Sequence, residues 1–144
     1  MTTIFTRIIE GEIPGRFVWS DPEVVAFLPI ALLAPGHTLV VPVEPVDHWI
    51  DLDPALNARV WTVAQTISRA LDGLYQPTKV GVLVVGEEVP HAHVHLVPFT
   101  DLSQLSFANQ DTSPSAEALD EQADRLREAL RDAGHGDHVP PAIH

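Results

Sequence analysis

Residues 91–98 read His-Ala-His-Val-His-Leu-Val-Pro, an alternation of polar and apolar side chains with a period of two. That period predicts a β-strand with His91, His93 and His95 on one face and Ala92, Val94 and Leu96 on the other. Pro98 has no N–H to give to a ladder and suits the end of such a strand. A chain with this stretch must build a two-sided sheet: one face joins a core, and the other carries imidazoles into a cleft. Strict threefold alternation of one titrating residue argues against a merely solvated strand face.

The surrounding pattern supplies the scaffold. Ile4–Ile9 is a short apolar segment, and the Gly11, Pro14 and Gly15 that follow predict a turn. Phe17–Trp19 and Val24–Leu28 predict two short strands broken at Asp21-Pro22, and His37–Val43 predicts a third, rich in β-branched residues. Asp53-Pro54 predicts a helix start, with Asp as N-cap and Pro in the first turn. Leu56, Val60, Val63, Ile67, Ala70 and Leu74 then recur every three or four residues, and Gly73 and Pro77 mark the end of the helix. Lys79–Val85 predicts a strand buried on both sides, because its apolar run is nearly continuous. The histidine stretch follows as the fifth strand.

Asp101–Ser115 is polar and reads as a loop or lid. A second amphipathic helix is expected over about 116–131, with Leu119, Ala123, Leu126 and Leu130 on its stripe, a Glu121–Arg125 pair one turn apart and Gly134 as its cap. The tail beyond it should be ordered only where it docks. Strands and helices in this order, with hairpin-length connections, predict an α+β domain on a mainly antiparallel sheet. With 144 residues and no internal repeat or linker, a single domain over 1–144 is expected, its core at about 4–98 and a C-terminal loop, helix and tail at 99–144.

Composition narrows the partners. Twenty acidic against eight basic residues give a net charge of −12, the wrong sign for a nucleic-acid surface. A small nucleotide needs only local donors and is compatible with that charge. The absence of cysteine removes disulfides, thiolate metal sites and thiol catalysis. No apolar run is long enough for a transmembrane helix and the N-terminus lacks a secretory pattern, so a cytoplasmic protein without a membrane partner is expected. No glycine-rich phosphate loop is present.

Two chemistries remain open for the histidine row. His-x-His on a strand can supply two ligands to zinc, with His37, Glu87 or Glu88 completing the set. Alternatively, an imidazole that is largely neutral at pH 7 can act as a nucleophile, with its neighbours stabilising developing charge.

Three separated motifs resemble one family. His91–Pro98, Pro35-Gly36-His37-Thr38-Leu39-Val40-Val41-Pro42 and the opening Ile4–Gly15 are together similar to the histidine triad (HIT) superfamily, in its branch of small nucleotide hydrolases and transferases. The resemblance covers about 4–98. It implies a five-stranded antiparallel sheet with two main helices, and a homodimer that continues the sheet. It also implies cleavage at the α-phosphate of a nucleoside phosphoramidate, acyl-adenylate or dinucleoside polyphosphate. By position, His93 would be the nucleophile that becomes nucleotidylated. His91 and His95 would contact phosphate oxygens and assist departure, and His37 would support them. Phe5, Ile8, Phe27, Ile30 and Leu39 would line the base and ribose pocket.

No cofactor is implied. The alternatives within this reading are a nucleotide-binding regulatory module without turnover and a metal-dependent hydrolase. The chain departs from the family at Pro29, where members often carry Asp or Asn, and at Glu87, where many carry glutamine. Thr3, Thr6 and Pro45 stand where some bacterial members place two cysteines and a histidine around structural zinc, so that zinc site is not expected here.

Overall fold

The computed structural model describes residues 2–141. Helix α1 (Ile4–Ile9) precedes strands β1 (Phe17–Ser20), β2 (Val24–Phe27) and β3 (Thr38–Pro42). Helix α2 (Pro54–Tyr75), strands β4 (Lys79–Leu83) and β5 (Val94–Phe99) and helix α3 (Ala116–Leu130) follow. The strands form one antiparallel sheet in the order β1-β2-β3-β5-β4. This is the expected α+β architecture, with α1 as a third, short helix where the sequence shows only an apolar segment.

Local chemistry accounts for the helix ends. The Thr3 side chain accepts the Thr6 amide at 3.0 Å and starts α1. Asp53 accepts from Ala55 N at the start of α2, beside Pro54, and Ser115 accepts from Ala118 N at the start of α3. Helix α2 stops at Gln76, whose left-handed φ of 48° breaks the helical run. Beyond α3 the chain makes one wider turn, and Gly134 leaves it with φ of 93°.

The core lies between the sheet and the two long helices. Val18, Val24, Ala26, Val40, Val94 and Leu96 pack from the sheet against Leu56, Val60, Val63, Ile67 and Leu71 of α2 and the predicted stripe of α3. Each such fully buried aliphatic side chain contributes about 1.5–3 kcal/mol of transfer free energy. The opposite sheet face carries a smaller cluster of Phe5, Val25, Phe27, Leu39 and Val41 beneath α1. This second face is the one that holds the site.

Three expectations need correction. The regular strand begins at Val94, because His91 N bonds back to Val89 O at 2.8 Å and Ala92 N bonds to Val46 O at 2.7 Å instead of joining the ladder. The alternation of faces nonetheless holds, since Ala92, Val94 and Leu96 all lie in the helix-side core. Strand β4 is shorter than Lys79–Val85 and is not buried on both sides. It pairs only with β5 at the sheet edge, leaving Val82 44% exposed. Arg125 lies over the Tyr75 ring, 5.1 Å from its centroid, and is absent from the ion pairs among the described residues; it does not form the expected bridge to Glu121. The tail docks through His138, whose ring stacks on Trp19 at 4.7 Å; its last residues, 142–144, lie outside the described residues.

Candidate active site

Sheet register explains how residues distant in sequence come to share one floor. Phe17 pairs with Phe27, Phe27 with Leu39, Leu39 with His95 and His95 with Leu83, so one row across the sheet points these side chains to the same side. Helix α1 lies over the row and inserts Phe5 edge-on against Phe27 at 5.5 Å, His91 at 5.7 Å and His93 at 4.9 Å. Between these walls opens a cleft of about 630 Å³. All five residues expected in a base and ribose pocket, Phe5, Ile8, Phe27, Ile30 and Leu39, line it, as do His37, His93 and His95.

The hydrogen bonds assign a tautomer to each ring, because backbone N–H groups can only donate and carbonyls only accept. Leu33 N–H donates to His37 Nδ1 at 3.0 Å, so in the neutral ring the His37 proton sits on Nε2. That Nε2–H donates to His95 Nδ1 at 2.9 Å, which places the His95 proton on its own Nε2, facing the cleft. A second chain starts at Thr3, whose hydroxyl meets His91 Nδ1 at 2.7 Å while His91 Nε2–H donates to Pro42 O at 2.7 Å. Finally, His93 Nδ1–H donates to His91 O at 2.7 Å, which leaves the lone pair on His93 Nε2. Among the described residues, neither His93 Nε2 nor His95 Nε2 has a hydrogen-bond partner, although the two residues are only 7% and 8% exposed.

Burial keeps the cluster neutral. It pushes His37 down to about 3, helped by repulsion from His95 and His93, and His95 down to about 4, helped by His93. Burial also lowers His91 and His93, against the opposing pull of their backbone carbonyls, and for His93 of the Glu88 carboxylate. The result is one ring with a free lone pair beside another that presents an N–H. That pair can attack an electrophile and hydrogen-bond an oxygen on it.

His91 does not fit the phosphate contact expected of it. It is fully buried and both of its ring nitrogens are engaged, by Thr3 and by Pro42. It bears on the site through its carbonyl, which orients His93. Sequence reading also missed Phe107, which packs edge-on against His95 at 5.2 Å, and Arg16 and Gln110 on the cleft wall. Phe107 was signalled only by being the one aromatic residue in the polar segment 101–115.

Residues 10–102 match the HIT domain. The chain belongs to the HIT family. It is 37% identical over 102 residues to a HIT-like protein of Borreliella burgdorferi, spanning 66% of this chain and 73% of that one. A HIT-like protein of Saccharolobus solfataricus is 33% identical over 133 residues, spanning 88% and 94%. Among solved structures, a HIT-like protein from Bartonella henselae superposes with a TM-score of 0.79 at 30% identity, over 90% of this chain and 96% of that one. A zinc-bound histidine triad family protein from Mycobacterium smegmatis gives 0.79 at 27% identity, over 94% and 98%.

At Thr3, Thr6 and Pro45, the positions compared with a structural zinc site of some bacterial members, the chain does not offer a fitting set of ligands. Thr3 and Thr6 present neutral hydroxyls 3.2 Å apart, Pro45 presents no donor, and the Thr3 oxygen is already bonded to His91. Among the described residues no three His, Cys, Asp or Glu side chains are grouped so as to hold a metal ion, and no helix is long and apolar enough to cross a membrane.

Proposed function

We propose that this HIT protein is a nucleotide hydrolase or nucleotidyl transferase that cleaves at an α-phosphate through His93. The observation that carries the reading is the unpartnered His93 Nε2, aimed into an apolar cleft while Nδ1–H is held by the His91 carbonyl. A planar base fits between Phe5, Ile8, Phe27 and Leu39, and the α-phosphate then lies beside His93 and His95.

His93 Nε2 attacks phosphorus, the bond from phosphorus to the leaving group breaks, and a nucleotidyl-imidazolium forms. A leaving nitrogen takes up a proton from solvent as it departs, while a carboxylate or phosphate leaves as the anion. The His91 carbonyl at 2.7 Å stabilises that cation through Nδ1–H. The His95 Nε2–H, fixed by His37, hydrogen-bonds the phosphoryl group as charge develops. Water then attacks the phosphorus, giving a nucleoside monophosphate and the free imidazole; a transferase passes the nucleotidyl group to another acceptor.

We further propose that the protein acts as a homodimer joined along the β4 edge, where Val82 is 44% exposed. Incubation with adenosine 5′-phosphoramidate tests the catalytic reading: AMP should appear, and His93→Ala should abolish its release. Binding without turnover in the unaltered protein would instead support a regulatory module, a reading favoured by Pro29 and Glu87 on the cleft wall. Loss of activity in EDTA would point to a metal-dependent hydrolase.

A further inference from the structure

Among the described residues, the unpaired charge lining the cleft has one sign. Of the basic residues, only Arg16 lies on its wall, and Arg16 is already paired with Asp120 at 2.7 Å. Glu87 and Glu88, from the connection between β4 and the triad, line the same cleft. Both are exposed, and among the described residues neither carboxylate has a hydrogen bond or an ion pair. The imidazoles beside them are neutral when unprotonated, so they offset nothing. The cleft therefore holds two uncompensated negative charges next to the unpartnered ring nitrogens of His93 and His95, two residues that are themselves 7% and 8% exposed.

From this we propose that Glu87 and Glu88 select substrates whose leaving group carries an ammonium, and disfavour those whose leaving group is a polyphosphate. The proposal rests on the nucleotide reading above and names the substrate class within it. An α-phosphate diester, phosphoramidate or mixed anhydride brings one negative charge into the cleft whatever its leaving group. A leaving group with a free ammonium makes the substrate neutral as a whole and places a cation within reach of the two carboxylates. A polyphosphate adds further negative charge to a site that already repels it. Fields in a concave, low-dielectric site act over the whole cleft, so the selection does not require contact with one carboxylate in one geometry. Aminoacyl-adenylates and phosphoramidates of diamines share the required chemistry.

The test uses one nucleoside 5′-phosphoramidate series with alkylamine leaving groups of equal length, ending in an ammonium, a methyl group or a carboxylate. With exposed carboxylates the expected spacing in kcat/KM is roughly three- to tenfold between successive members, ammonium best, shrinking as salt is raised. The isosteric double variant E87Q/E88Q should bring the three values together without changing the thermal midpoint. Equal values across the series in the unaltered protein, or an order unchanged in E87Q/E88Q, overturns the proposal.

The same compounds are also titrated calorimetrically onto His93→Ala, which cannot turn over, so that binding alone is read. If no member is hydrolysed yet binding keeps the ammonium-first order and loses it in E87Q/E88Q/H93A, the catalytic reading fails and the selection stands. If hydrolysis is present but neither turnover nor binding depends on the terminal charge, the reverse holds.

Discussion

Thr3 joins the cap of α1 to the triad through one oxygen. Its hydroxyl accepts from Thr6 N and Thr6 Oγ1 and has its single proton left for His91 Nδ1. Thr3→Val removes that proton and leaves a buried ring nitrogen unsatisfied. Urea unfolding should report a loss of about 1–3 kcal/mol, with Thr3→Ser recovering most of it. The proton positions around His93 make a second prediction at this scale. Burial holds its pKa below that of free imidazole, and attack requires the neutral ring, so kcat/KM should be level above about pH 6.5 and fall only at lower pH. An acid limb centred at or above that value would contradict the neutral-nucleophile assignment.

Among the elements, the turn into β3 carries the tightest constraint. Gly36 has φ of 91°, and a Cβ there would lie 2.6 Å from the Tyr75 ring and 2.9 Å from Pro98. The next residue, His37, is the anchor of His95, so Gly36→Ala should both destabilise the fold by roughly 1–3 kcal/mol and disturb the site. Denaturation and AMP release measured on the same preparation would show both effects; a variant with unaltered stability would exclude them. Elements whose signals are local were legible in the sequence: the Asp53-Pro54 start of α2 and the buried stripe of α3, whereas Gly134, expected as its cap, lies in the wider turn that follows the helix end at Leu130. The start of β5 was not, because alternation reports which face a side chain takes but not whether its backbone finds a ladder partner. Strand β4 was misread for a related reason. An apolar run shows that a strand wants cover on both sides, but whether the cover comes from the same chain is a tertiary matter. The cleft residues legible beforehand were those carried by family motifs, whereas Phe107 and Thr3 act through contacts across 12 and 88 positions, which no local pattern encodes.

For the whole molecule, two features set measurable behaviour. The proposed dimer joins the exposed β4 edge at Val82, so sedimentation should find a dimer for the unaltered chain and a monomer for Val82→Lys. Protonation of the buried imidazoles sets the acid limit of stability. His37 is held neutral in the folded state down to about 3, while in the unfolded chain it takes up a proton near 6.5. The unfolded state thus binds more protons between these values, and the stabilisation present above pH 6.5 is lost progressively as pH falls toward 3. Each such group contributes a slope of up to about 1.4 kcal/mol per pH unit in that window. Thermal midpoints recorded from pH 7 to pH 4 should therefore decline, and less steeply in His37→Asn.

The hydrogen-bond row from Leu33 through His37 to His95 is closed at its inner end. A peptide amide cannot give up its proton on the timescale of turnover, and without a new proton His37 cannot pass one outward and stay neutral. The row therefore orients but cannot conduct. A neutral His95 could give up its Nε2 proton only by becoming an imidazolate, so the proton that a departing group takes up must enter through the mouth of the cleft, from solvent. A proton inventory in mixed H₂O and D₂O would then see one hydrogen in flight, with no second exchange from within the fold.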